Sequence, residues 1–337
     1  MTLSALIVGL SGPVLTPDEA AFFRDLRPWG YILFKRNVES PGQVLALTDA
    51  LRALDGREDL PILADQEGGR VQRLGPPHWP RYPTGRAYGS IPDPVERAAV
   101  TRLGARLIAH DLKGVGINVD CLPVLDVPVP GSHDVIGDRA YGHEPEIVAS
   151  LGRAAAEGLL DGGVLPVIKH VPGHGRAAAD SHHDLPVVDA SREELEAQDF
   201  APFRALADMP LAMTAHVVYA ALDPERPATT SPSVMRDIIR GAIGYDGLVM
   251  SDDLSMNALA GSLGERAAAA FAAGCDVGLH CNGRMDEMIA VAANAPMLGG
   301  DALRRADAAL ERIARGAQPF DPVDARARVE AALAVAA

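Results

Sequence analysis

Eight short apolar runs recur along the 337 residues, at 5–10, 31–34, 61–65, 117–121, 165–169, 211–215, 247–251 and 275–280. Each is rich in Val, Ile and Leu and is followed by turn residues and then by apolar positions at helical spacing. Runs that stay apolar instead of alternating suit strands covered on both faces, as in a parallel sheet. The intervening segments carry helix signals. Thr16-Pro17-Asp18-Glu19 reads as a capping box with proline at the first helical position, and Ser40-Pro41-Gly42-Gln43 opens a helix to about residue 54 in the same way. Further helices are expected at about 94–112 and 145–160, after Ser191 and Glu194, near Ser231, and at about 264–273 and 284–293.

Eight strand–helix units predict an α/β fold, a single-domain (β/α)8 TIM barrel over about residues 4–295. Helical stretches at about 301–315 and 325–336 form extra C-terminal helices within about 298–337, so that residues 1–337 make one domain. An open doubly wound sheet usually stops at about five or six strands, and no G-x-G-x-x-G follows the first run, which argues against a dinucleotide site.

Composition narrows the class. With 48% hydrophobic and 23% charged residues the chain can bury a large core. Its net charge of −14 argues against nucleic acid or a membrane surface as a partner, since both call for a basic face. Cys121, Cys275 and Cys281 have neither metal-site nor disulfide spacing and read as reduced, buried thiols. The first apolar run lacks the basic flank of an export signal, and no run reaches the ~18 residues of a membrane span, so a cytoplasmic protein is expected.

In a barrel of this type chemistry sits at the carboxyl ends of the strands. Asp65 ends the third run, Asp120 and Asp126 follow the fourth with Arg139 in its loop, and Lys169-His170 end the fifth. His216, Ser251-Asp252-Asp253 and His280 end the last three. So many ionisable groups there imply a polar small-molecule ligand. Asp252 reads as a nucleophile or charge stabiliser, or else as a helix N-cap, a duty Asp253 would take over if Asp252 is catalytic. Asp180 and His182 are two apart, so the carboxylate can orient the imidazole for proton transfer; the alternative is a loop turn with an exposed histidine, and His183 competes for the role. Lys169 and His170 read as binders of hydroxyl or carbonyl oxygens, or as a structural ion pair. Arg73 and Arg139 either grip ligand oxygens or are solvated or paired, and Gly173 and Gly175 suggest a turn with His174 bonded to backbone.

Taken together these residues resemble glycoside hydrolase family 3, and within it the single-domain bacterial β-N-acetylglucosaminidases (β-hexosaminidases) of the NagZ type. The motifs carrying the resemblance run in order. They are Gly30-Tyr31-Ile32-Leu33-Phe34-Lys35-Arg36-Asn37, Asp65-Gln66-Glu67-Gly68-Gly69-Arg70-Val71-Gln72-Arg73, Lys169-His170-Val171-Pro172-Gly173-His174-Gly175, Asp180-Ser181-His182, Met213-Thr214-Ala215-His216-Val217 and Asp246-Gly247-Leu248-Val249-Met250-Ser251-Asp252-Asp253. The resemblance implies a retaining exo-glycosidase with Asp252 as nucleophile and His182 as acid/base, assisted by Asp180. It places sugar contacts at Asp65, Arg73, Arg139, Lys169 and His170. It implies N-acetylglucosamine-containing muropeptides as substrates in cell-wall recycling, with no metal or organic cofactor, and a monomer is expected. The sequence departs from the family's usual pattern at Val171, where Phe is usual, and at Arg176, where Asp is frequent. Two other classes compete with this one. A metal-dependent barrel hydrolase would use the ten histidines, yet no His-x-His marks the first run; a non-catalytic sugar-binding barrel would be favoured by loss of Asp252, Asp180 or His182, and all three are present.

Overall fold

A computed structural model describes residues 2–177, 181, 185–313 and 315–336. Eight parallel strands close into a barrel in chain order: β1 Ser4–Gly9, β2 Pro28–Leu33, β3 Ile62–Ala64, β4 Val119–Asp120, β5 Leu165–Val171, β6 Leu211–Thr214, β7 Leu248–Asp253 and β8 Val277–His280. Closure is made by β1 against β8, with Leu6 opposite Gly278 and Val8 opposite His280. The (β/α)8 barrel expected from the pattern is therefore the architecture observed.

The uninterrupted apolar runs are explained by burial on two sides. Side chains such as Ile7, Ile32, Leu63, Val167, Met213 and Met250 fill the barrel interior, while alternate residues such as Leu6, Tyr31, Ile62, Ile168 and Val249 pack outward beneath the helices. The helices open where the caps indicate. Thr16 and Glu19 form the capping box of helix Pro17–Leu26, Ser40 caps Pro41–Asp55, and Asp93 caps Pro94–Gly114. Two elements differ from simple expectation. The β4 ladder is two residues long because Pro123 has no N–H to continue it, although Leu122 and Pro123 still accept from the amides of Val167 and Lys169. The helical segment after β5 is broken into Arg192–Glu194, a wide π turn at Leu195–Asp199 and Ala201–Ala205, with Pro202 in the last piece unable to donate.

Helix Gly300–Ile313 closes the amino-terminal end of the barrel. Leu298, Ala306 and Ala309 share the interior cluster with Trp29, Leu165, Leu211 and Leu248, and Arg305 bonds Asp246 and Asp276 in the loops entering β7 and β8. The opposite, carboxyl end carries the two longest loops. One, after β3, contains a small hairpin at Gln66–Gly68 and Val71–Gln72; the other follows β4 and holds the turn Gly137–Arg139. Cys121, Cys275 and Cys281 are buried free thiols. No helix among the described residues is long and apolar enough to cross a membrane.

Candidate active site

The carboxyl ends of the strands surround an open pocket of about 150 Å³. Its wall includes Phe34, Asp65, Glu67, Arg73, Arg139, Lys169, His170, His174, Ser181, Asp252, Met256 and Cys281.

One side is a chain of alternating charges. Asp65 accepts from Arg73 Nη2 at 2.8 Å and from Lys169 Nζ at 3.0 Å. The same ammonium lies 2.6 Å from Glu67 Oε1, and Glu67 accepts a two-pronged contact from Arg139 at 2.8 and 2.9 Å. Lys169 and Glu67 have side chains only 2% and 3% exposed. Ions so deeply buried persist only when paired. Burial by itself would raise the Asp65 carboxyl, but Lys169 and Arg73 outweigh it and hold the group far below the usual carboxylate range. Burial is likewise overcome at Glu67, chiefly by Arg139 and Lys169, and its carboxyl falls to about 2. Lys169 is pushed in the cationic direction: Glu67 and Asp65 together exceed the cost of its burial. All five groups are therefore charged at neutral pH. Arg73 also stacks over the Phe34 ring at 4.8 Å, a ring shared with Arg36 at 5.0 Å.

His170 is oriented from behind. Its Nδ1 lies 2.7 Å from Asp126 Oδ2, and because a carboxylate only accepts, Nδ1 carries the hydrogen. Asp126 Oδ1 also accepts the backbone amides of His170 and His174, at 3.1 and 2.7 Å. Burial is again outweighed, here by His170 and His174, and the Asp126 carboxyl drops to about 2. The His174 ring meets a side chain, its Nε2 lying 3.1 Å from Ser181 Oγ. Burial and then the nearby His170 lower His174 to about 4, so the ring is neutral.

Asp252 comes from β7, four strands round the barrel from the Asp65 end of β3 and hence across the pocket. Its Oδ1 accepts the Asp253 amide at 2.8 Å, and its own amide reaches Thr214 Oγ1 at 3.4 Å. Neither aspartate caps a helix, the other role their position in the sequence allows. Asp253 instead accepts from the Ser255 amide and hydroxyl and from the Cys281 amide, tying the turn after β7 to β8, while Ser262 caps the next helix. The reason is distance along the chain: a nine-residue loop separates the end of β7 at Asp253 from helix Leu263–Ala273.

The structure thus brings Asp65, Arg73, Arg139, Lys169, His170 and Asp252 into one pocket. Asp180, His182 and His183 lie outside the described residues; Ser181, between them, is buried against His174. Sequence reasoning gave no role to Glu67, which has the same alternation as Asp65 two residues earlier, nor to Phe34 or Met256, which carry no polar signal. Arg73, Arg139 and Lys169 are paired as well as pocket-lining, so the two readings of these residues are not exclusive.

Comparison with known proteins agrees with this geometry. The Glycosyl hydrolase family 3 N terminal domain matches residues 19–315. A β-hexosaminidase of Alkalilimnicola ehrlichii is 44% identical over 288 residues, covering 84% of this chain and 82% of the relative. Among solved structures, NagZ from Neisseria gonorrhoeae in complex with N-trifluoroacetyl-D-glucosamine superposes with a TM-score of 0.87 at 34% identity, covering 99% of both chains. A family 3 β-N-acetylglucosaminidase from Paenibacillus sp. gives the same TM-score at 32% identity, this chain spanning 97% of itself but 66% of that protein. The chain belongs to glycosyl hydrolase family 3, among the hydrolases of the NagZ-type β-hexosaminidase group.

Proposed function

We propose that this chain is a retaining exo-β-N-acetylglucosaminidase that removes terminal GlcNAc from fragments such as GlcNAc-1,6-anhydroMurNAc, with or without peptide, in cytoplasmic cell-wall recycling. Asp252 attacks the anomeric carbon, the bond to the leaving oxygen breaks, and His182 gives that oxygen its proton with Asp180 supporting the imidazolium. Water then displaces Asp252 from the sugar while His182 takes the water's proton, restoring the enzyme. An imidazole suits this role at neutral pH without the burial a glutamic acid needs to raise its pKa. Asp65, Arg73, Lys169, Arg139 and His170 hold the sugar's oxygens by charge-assisted hydrogen bonds.

The observation that carries the reading is the position of Asp252 across the pocket from the Asp65–Lys169–Glu67 cluster. A ring bound by its hydroxyls on the cluster side presents its anomeric carbon toward β7. The reading takes the whole chain as one catalytic unit, which is supported by helix Gly300–Ile313 contributing to the barrel's own interior.

The test is trapping with a fluorinated GlcNAc derivative followed by mass spectrometry of the peptides. The label is expected on Asp252, and proton NMR of early product is expected to show β-GlcNAc. Early appearance of the α anomer would overturn the retaining assignment, and a label elsewhere would overturn the nucleophile.

A further inference from the structure

Behind Asp252 runs a hydrogen-bond circuit whose direction is set by one imidazole. His216, fully buried just beyond β6, places Nε2 3.0 Å from the Asp253 carbonyl oxygen and Nδ1 2.7 Å from Thr229 Oγ1. A carbonyl oxygen only accepts, so Nε2 bears the ring hydrogen and Nδ1 of the neutral ring is an acceptor. Thr229 must then donate to Nδ1. Its hydroxyl also lies 3.1 Å from the Ala215 carbonyl, but giving its single proton there leaves a buried ring nitrogen with no donor. Thr229 Oγ1 in turn accepts from the Thr214 hydroxyl at 2.8 Å, and Thr214 Oγ1 faces the Asp252 amide at 3.4 Å. The path therefore leaves the main chain at the Asp252 N–H and returns to it at the Asp253 carbonyl. Between those two points lies the Asp253 amide, which donates to the Asp252 carboxylate.

Neither His216 nor either threonine lines the pocket, so none of the three is placed to touch the sugar. Burial, only partly offset by Asp252, holds His216 below the ordinary histidine value, which keeps the ring neutral.

We propose that His216 is a positioning residue that, through Thr229 and Thr214, fixes the main chain on both sides of Asp252 and so aims its carboxylate. The inference rests on the reading of Asp252 as nucleophile. A carboxylate displaced by about 1 Å loses on the order of 10²-fold in rate, and a loss of aim falls on attack at carbon rather than on proton transfer.

Three substitutions are compared with the unaltered protein on two aryl β-GlcNAc substrates, one with a 2,4-dinitrophenyl and one with a phenyl leaving group. His216→Met, of similar bulk but without hydrogen bonds, is expected to lower kcat/KM about 10²-fold, by the same factor on both substrates, with inhibition by free GlcNAc unchanged. His216→Gln, whose amide N–H can still reach the Asp253 carbonyl, is expected to recover most of that loss. Thr229→Val, nearly isosteric, is expected to slow both substrates alike, and it carries the test if the His216 variants do not fold. Trapping on Asp252 should slow in parallel. If the unaltered protein is labelled on Asp252 but His216→Met is as active as His216→Gln, or Thr229→Val matches the unaltered protein, the positioning role is overturned and the nucleophile stands. A loss that vanishes with the 2,4-dinitrophenyl substrate also overturns it, since that pattern belongs to acid catalysis. No label on Asp252 in the unaltered protein overturns the underlying reading, and this inference with it.

Discussion

Lys169 is an ammonium shared by Asp65 and Glu67, and with the two flanking arginines it keeps both carboxylates ionised inside the protein. Removing one member leaves its partners charged and buried, which typically costs about 3–5 kcal/mol. Glu67→Gln is therefore expected to destabilise the protein by about that much at pH 7, read by urea unfolding. Its pH dependence has a definite sign. The Glu67 carboxyl sits at about 2 when folded, against 4.5 ordinarily, so its contribution is complete above about pH 4.5 and is lost as the pH falls toward 2. The gap between the original and Glu67→Gln proteins should close over that window. A gap that stays constant from pH 7 to pH 3 would show that Glu67 acts through packing rather than charge. This residue was legible only as part of a motif; its pairing joins the β3 loop, β5 and the β4 loop, and no local pattern records that.

At the scale of elements, what matters is where each loop leaves the barrel. Gly175 sits so close to the β4 loop that a Cβ would lie 2.1 Å from the Val127 carbonyl oxygen and 2.6 Å from the Val127 amide nitrogen. The contact is with main chain, so no flexible side chain is there to give way. Gly175→Ala is expected to cost about 1–3 kcal/mol through overpacking and to lower kcat, because the segment leading to Asp180 starts here. Differential scanning calorimetry and turnover of an aryl GlcNAc substrate read the two effects, and a variant with unaltered Tm and kcat would sink this account. The spacing of glycines around His174 marked a turn correctly, but it gave no sign that the His174 ring meets a serine seven residues on. Helix starts were the most legible elements, since a cap and its third residue act within one turn. The π turn at Leu195–Asp199 was not, because it depends on how a proline-interrupted helix packs.

Over the whole molecule the two ends of the barrel do different work. The carboxyl end holds charged groups against an open pocket, and the amino end is sealed by apolar contacts from helix Gly300–Ile313. Ala306 is buried in that seal at 1% exposure. Ala306→Asp is expected to cost more than about 2 kcal/mol, since a buried polar group there has no arranged partner, while KM for an aryl GlcNAc substrate stays unchanged. Equal loss of substrate affinity and stability would show that the two ends are coupled.

The order and number of βα units, the caps and the family motifs were all present in the sequence, because each is set by residues near one another along the chain. Burial of both strand faces made the apolar runs continuous, which points to a parallel sheet, and their number, eight, points to its closing as a barrel. Which charges share a partner was decided only when eight strand ends were brought to one rim. Asp65 meets Lys169 across 104 residues, and Asp253 meets Cys281 across 28. Tertiary structure also settled that Asp253 ties β7 to β8 instead of capping a helix, and that His216 and Thr229 stand behind Asp252. Hydrogen bonds of that kind depend on ångström distances between distant segments, which barrel closure creates and no local pattern of polar and apolar residues encodes.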